Sequence, residues 1–163
     1  MKRILALTLA VVMMLGMVSC FGGEAKPKTF TKSGMSVTLT DDFRETSIEG
    51  YTVVYDSAQI GVFALKESFT LLAGLENWTL EKYGAAVASA NASKGAGQPK
   101  TQNGVYCLEY DFENTTEGVT YHYVAAMYKA DDAFWTISFA CRKADAEKLT
   151  AKLYEYAASV TFD

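Results

Sequence analysis

The sequence predicts an α+β domain: an antiparallel sheet covered by helices on both faces. Three observations predict it: extended segments joined by hairpin-length turns, two amphipathic segments interrupting them, and a final run of strands that is apolar on both sides. An antiparallel sheet with one wet face alternates cleanly between apolar and polar residues, so one apolar on both faces needs a cover on each.

The elements follow in order. Met35-Ser36-Val37-Thr38-Leu39-Thr40 alternates apolar and polar residues, a half-buried strand after a turn at Ser33-Gly34. Tyr51 to Tyr55 and Ile60 to Lys66, rich in Val, Ile, Tyr and Phe, read as a hairpin around Asp56-Ser57-Ala58-Gln59. Ser68 to Trp78 suggests only a packed turn of helix. Leu80, Tyr83, Val87 and Ala90 fall on one helical face, with Thr79 as N-cap and Glu81 in the first turn. Ser93 to Gly104, with three glycines and Pro99, reads as an exposed loop.

Residues 104–113, 118–129 and 134–142 form a strand meander. A two-residue turn at Asp131-Asp132 places Val124 opposite Phe139 and His122 opposite Cys141. If Glu113 faces Gly118 across the other turn, Cys107 faces Val124 and His122 lies beside Glu109. In this register Tyr106, Leu108, Tyr110, Phe112, Tyr121, Tyr123 and Met127 share one face, while Val105, Cys107, Val124, Ala126, Trp135, Ile137 and Phe139 share the other. Ala146, Leu149, Leu153, Tyr156 and Ala157 mark a second helix with Asp145 as N-cap, and Ser159 to Phe162 ends the chain extended.

The 163 residues carry 15 Lys plus Arg against 19 Asp plus Glu, a net charge of −4. Such a balance lacks the basic cluster that gripping nucleic acid requires. Residues 1–19 have the layout of a signal peptide: Lys2 and Arg3, then an apolar run from Ile4 to Val18, ending at Ser19. The apolar run is shorter than the roughly 20 residues a membrane span needs. Loss of Lys2 and Arg3 takes the net charge to −6, so an anionic bilayer repels the remainder and attachment depends on a lipid.

Met17-Val18-Ser19-Cys20 resembles the lipobox of bacterial lipoproteins, with Met17 where the family usually carries Leu. That resemblance implies cleavage after Ser19, acyl chains (palmitate among them) on Cys20, and an extracytoplasmic domain anchored to a bacterial membrane. Residues 20–28, with Gly, Pro and charge, then form a lipidated tether, and 29–163 a single domain, expected to be monomeric.

Met35 to Phe43, Thr79-Leu80-Glu81-Lys82-Tyr83, Phe134 to Phe139 and the closing Ser159-Val160-Thr161-Phe162 together resemble the PsbP/Mog1-like group, which includes small bacterial lipoproteins and relatives of DcrB. Asp41-Asp42 stands where a Pro is common. The resemblance implies a compact α/β/α sandwich and, as in most members, a binding or assembly role without enzymatic activity; no cofactor is expected.

Four sets of residues are candidates for chemistry. Cys20 is the lipid-attachment residue. Cys107 and Cys141 lie two strands apart, about 10 Å laterally, too far for a disulfide, which predicts two buried free thiols. Cys141, His122 and Glu109 have the residue types of a thiol nucleophile, its base and an orienting carboxylate. Zinc would need three or four ligands, and one His with two separated Cys does not supply them. Tyr121 and Tyr123, with Trp78, would line an apolar-ligand site if the helix starting after Thr79 left part of the sheet open. Asn77, Asn91 and Asn114 begin N-x-Ser/Thr triplets, which carry no weight in a bacterial host.

Overall fold

A computed structural model describes residues 25–163; residues 1–24, and with them the signal-peptide and Cys20 assignments, lie outside them. Ten strands and two α-helices are present among the described residues. The first strands are β1 (Pro27–Lys32) and β2 (Met35–Thr40). They form a hairpin because Ser33 and Gly34 both take positive φ, 58° and 85°, the backbone a two-residue turn needs to follow strand twist. With β10 (Thr161–Phe162) they make a separate three-stranded sheet, in the order β1-β2-β10.

The larger sheet contains β3 (Arg44–Thr46), β4 (Val53–Asp56), β5 (Ile60–Ser68), β6 (Lys100–Gln102), β7 (Val105–Asn114), β8 (Val119–Lys129) and β9 (Ala133–Arg142). Its order is β3-β4-β5-β9-β8-β7-β6, with every pair antiparallel. The helices are α1 (Leu80–Ala90) and α2 (Ala146–Ala158).

Several details differ from the sequence reading, each for a local reason. The 93–104 stretch is not all loop: Asn103 and Gly104 take φ 51° and 78°, an Asn-Gly hairpin turn that joins β6 to β7. Asp145 makes no side-chain cap; it ends a 3-10 turn, Lys143–Asp145, that leads into α2. Thr79 does cap α1, its hydroxyl accepting from the Lys82 N–H at 3.3 Å.

The β8–β9 register is as read, with His122 opposite Cys141. The β7–β8 register is shifted: Cys107 faces Ala126, and Asp111 rather than Glu109 faces His122. The cause is the turn. Asn114 pairs with Val119, its carbonyl accepts from Gly118 N–H at 2.8 Å, its side chain accepts from Thr116 N–H at 3.1 Å, and Gly118 has φ 65°. Gly118 therefore belongs to the turn instead of the strand. Each partner is displaced by two residues, an even number, so every side chain keeps its face.

Two apolar clusters result. The first joins Val105, Cys107, Val124, Ala126, Trp135, Ile137 and Phe139 of the large sheet to Met35, Val37 and Leu39 of β2 and to Leu153, Tyr154 and Tyr156 of α2. The second joins Leu108, Tyr110, Tyr121, Tyr123, Met127 and Phe134 to Tyr83 and Ala88 of α1. Helix α1 lies close to β7: a Cβ on Gly84 would stand 2.7 Å from the Tyr106 ring, so a larger residue there would have to displace that ring.

The start and the far end of β5 mark opposite ends of the body. Lys26 is pinned to Asp41 by two bonds, its N–H donating to Oδ1 at 3.0 Å and its carbonyl accepting from Asp41 N–H at 2.8 Å. Asp41 is three residues from Arg44, which pairs with Asp56 beside the start of β5. Leu71, 84% exposed, follows the end of β5. Nine strand residues, about 30 Å, separate the two ends.

Candidate functional site

On the α2 side of the sheet, neighbouring strands set a row of polar groups across β7, β8 and β9. His122 is buried, its Nδ1 2.8 Å from Asp111 Oδ1 and its Nε2 3.7 Å from Glu109 Oε1. Nε2 has no hydrogen-bond partner. Asp111 also receives Lys143 at 2.8 Å. Partial burial pushes the Asp111 carboxyl up, but the bonds from Lys143 and His122 outweigh it and hold the group below the ordinary carboxylate value. Glu109 accepts from Tyr154 at 2.5 Å and from Gln102 at 3.1 Å. Burial, then the Glu109 bond, pushes the Tyr154 phenol up.

This cluster contains the Cys141, His122 and Glu109 set, with Asp111 as a member the sequence reading missed. The thiol does not suit nucleophilic chemistry. Cys141 is fully buried, and its pKa is pushed up to about 11, first by desolvation and then by Asp145 and Asp111. A reactive cysteine needs the reverse, an exposed thiol in positive surroundings. Cys107 is also fully buried, raised chiefly by desolvation, and has its Sγ 3.7 Å from the Tyr154 hydroxyl. Both thiols are free. In native protein Cys107 and Cys141 should accordingly give almost no reaction with an aromatic disulfide reagent over minutes, and both should react on addition of denaturant. Rapid native labelling at either described position would contradict the placement. Among the described residues no three His, Cys, Asp or Glu side chains are gathered to hold a metal ion.

The opposite side holds the aromatic candidates. Tyr121 and Tyr123 are 1% and 2% exposed, so both belong to the core. Tyr123 stacks on Tyr110 at 5.2 Å, and Tyr121 donates to Glu117 at 3.0 Å. Trp78 is half-buried with the Lys82 ammonium 4.4 Å over its ring. The structure thus places Trp78 near the start of α1 and the two tyrosines under cover, without bringing the three to one open surface.

One member of this side was absent from the sequence reading. Glu67, on β5, is 7% exposed. Tyr83 of α1 donates to its Oε2 and is itself 2.8 Å from Thr136 Oγ1, while Glu67 Oε1 has no partner. Desolvation raises the Glu67 pKa, with the Tyr83 bond working against it. Glu67 sits at alternate spacing with Leu65 and Phe63, and that parity was the one available signal that its side chain points into the core.

The sequence matches no protein-family model and no curated protein. Among solved structures, the chain is similar to cyanobacterial PsbP (CyanoP) from Synechocystis sp. PCC 6803. The TM-score is 0.60 at 16% identity, covering 90% of this chain and 99% of that one. It is also similar to a protein from Bacteroides thetaiotaomicron VPI-5482, with a TM-score of 0.51 at 16% identity, covering 83% of this chain and 48% of that one, so it spans about half of that relative. A weaker match, with a TM-score of 0.46 at 12% identity, is to LpqN, involved in cell envelope biogenesis of Mycobacterium tuberculosis; at that score it bears on neither fold nor role. The first likeness shows a PsbP-like fold, an α+β arrangement of antiparallel sheets with two helices.

Proposed function

We propose that this protein is a non-enzymatic lipoprotein of the bacterial cell envelope, anchored by acyl chains on Cys20, whose folded domain binds an envelope protein or a small ligand. The observation that carries the reading is the order of a basic start, an apolar run, Ser19 and Cys20. Among the described residues no helix is long and apolar enough to cross a membrane, so in this reading attachment falls to the lipid. Five residues, 21–25, lie between Cys20 and Lys26, where the bonds to Asp41 begin the folded body. Such a tether spans at most about 20 Å and holds the Lys26 end near the bilayer, with the Leu71 end turned away. The two helices serve, in the same reading, as covers over the two faces of the seven-stranded sheet. The burial of Cys141 supports a binding role over the thiol-enzyme alternative.

Metabolic labelling with a palmitate analogue tests the anchor. The wild-type chain should take up label, Cys20→Ser should take up none, and Cys107→Ser and Cys141→Ser should label like wild type. Label retained in Cys20→Ser would overturn the reading. A second reading, a module for a small ligand held between sheet and α1, is favoured by the unpartnered Glu67 oxygen.

A further inference from the structure

Residues 69–79 follow β5 as a strap that joins no strand. Its backbone bonds run to near neighbours, from the Leu72 N–H to Ser68, from Leu75 to Leu72 and from Trp78 to Leu75. Among the described residues two groups tie it by hydrogen bonds to the body: the Phe69 N–H, donating to the Asp132 carbonyl at 2.9 Å, and Lys129 Nζ, donating to the carbonyls of Glu76 at 3.0 Å and Trp78 at 2.8 Å. Thr70, Leu71, Ala73, Gly74, Glu76 and Asn77 are exposed. Segments held by so few long-range bonds open locally at the lowest cost.

Glu67 lies beneath, 7% exposed. Its cross-strand partner Phe134 stacks on Tyr83 at 4.3 Å and meets Phe69 edge-on at 5.4 Å, and Leu75 belongs to the same buried cluster. Phe69 and Leu75 of the strap and Tyr83 of α1 therefore stand between Glu67 and water. Tyr83 donates to Glu67 Oε2, while Oε1 has no partner. A carboxylate satisfied on one oxygen is poorly tolerated there, and burial favours the neutral acid.

The groups around Glu67 leave that proton to Glu67. Burial and then Glu67 itself push the Tyr83 phenol well up, so it stays neutral. Lys129 of β8 is engaged with the strap carbonyls, and β9 contributes only Phe134 and Thr136. Lys66, the neighbour on β5, lies on the other face over Trp135 and pairs with Asp132 at 2.7 Å. Glu76 of the strap accepts from the Gly74 N–H at 2.7 Å.

We propose that residues 69–83, the strap and the first turn of α1, form a pH-gated cover: loss of the Glu67 proton releases them from this end of the sheet and bares the aromatic surface around Phe134. Under the closed cover Glu67 holds its proton more tightly than under the open one, where it titrates near the ordinary 4.5. The opening equilibrium is therefore flat below that value and rises above it by up to about tenfold per pH unit. It levels off once Glu67 is ionised under the closed cover too. The inference needs neither the lipid on Cys20 nor a ligand, and its failure would leave the proposed function standing.

Native-state amide exchange of the full-length chain, divided by the intrinsic rate at each pH, reads the opening constant at Leu72, Leu75, Trp78 and Tyr83, whose N–H groups are all hydrogen-bonded. These four should open together and more often than Val124 and Phe139, paired between β8 and β9. Their opening constant should rise severalfold from about pH 4 to about pH 8 in the wild-type chain and stay flat in Glu67→Gln. In wild-type protein the Glu67 carboxyl-carbon resonance should titrate at the pH where the rise levels off. A pH-independent opening constant in the wild-type chain, a measurement that needs no variant, would overturn the cover. So would a rise retained by folded Glu67→Gln, a carboxyl titration that does not coincide with the plateau, or exchange of the four amides only together with Val124 and Phe139.

Discussion

Trp135→Ala should cost about 3–5 kcal/mol, a large share of the roughly 5–15 kcal/mol that holds an ordinary domain folded. Trp135 is 1% exposed near the start of β9, paired with Lys66 on one side and Tyr128 on the other. Its ring lies 5.5 Å from Phe162 of β10, so the indole joins the seven-stranded sheet to the three-stranded one. Losing it opens a cavity at the junction of two sheets and α2, whose backbones are fixed by their own hydrogen bonds and relax little. Leu71→Ala is the control: at 84% exposure it should change stability by no more than about 0.5 kcal/mol. Urea unfolding of the three proteins decides the matter, and a Trp135→Ala cost under about 1 kcal/mol would contradict the packing described.

The second large effect concerns the buried pair on the other face. Tyr83→Phe removes the donor to Glu67 and leaves the whole carboxylate without a partner, which should cost on the order of 3 kcal/mol at neutral pH. Burial raises the Glu67 pKa above its ordinary 4.5. The folded protein therefore holds this proton more tightly than the unfolded chain. Its contribution to stability is fully present below the unfolded value and is lost as pH rises through the folded one. Glu67→Gln has no such proton, so its stability relative to wild type should improve from about pH 4 to about pH 8. Denaturation curves at the two pH values test this, and a difference that stays constant or moves the other way would show that the carboxyl is not held as described.

Much of the fold was legible because it depends on local periodicity. The faces of β7, β8 and β9 follow from alternation alone, and they survived a two-residue register error because an even shift preserves parity. The β8–β9 register was readable because a two-residue turn admits few alternatives. What escaped the reading depends on details of a few backbone angles. Gly118 at φ 65° moved the β7–β8 pairing and put Asp111 beside His122, and Asn103-Gly104 turned an apparent loop into β6. The separation of β1-β2-β10 from the main sheet is a tertiary choice that no single segment encodes. Glu67 escaped because charge argues for the surface, and only its partner on α1, 16 residues away, shows why it is buried.

The proposed lipid on Cys20 is open to mass spectrometry of the chain purified from its native membrane. The mature protein should start at Cys20, lack residues 1–19 and carry the added mass of two or more acyl chains on that residue. An N-terminus still bearing residues 1–19, or an unmodified thiol at position 20, would contradict it.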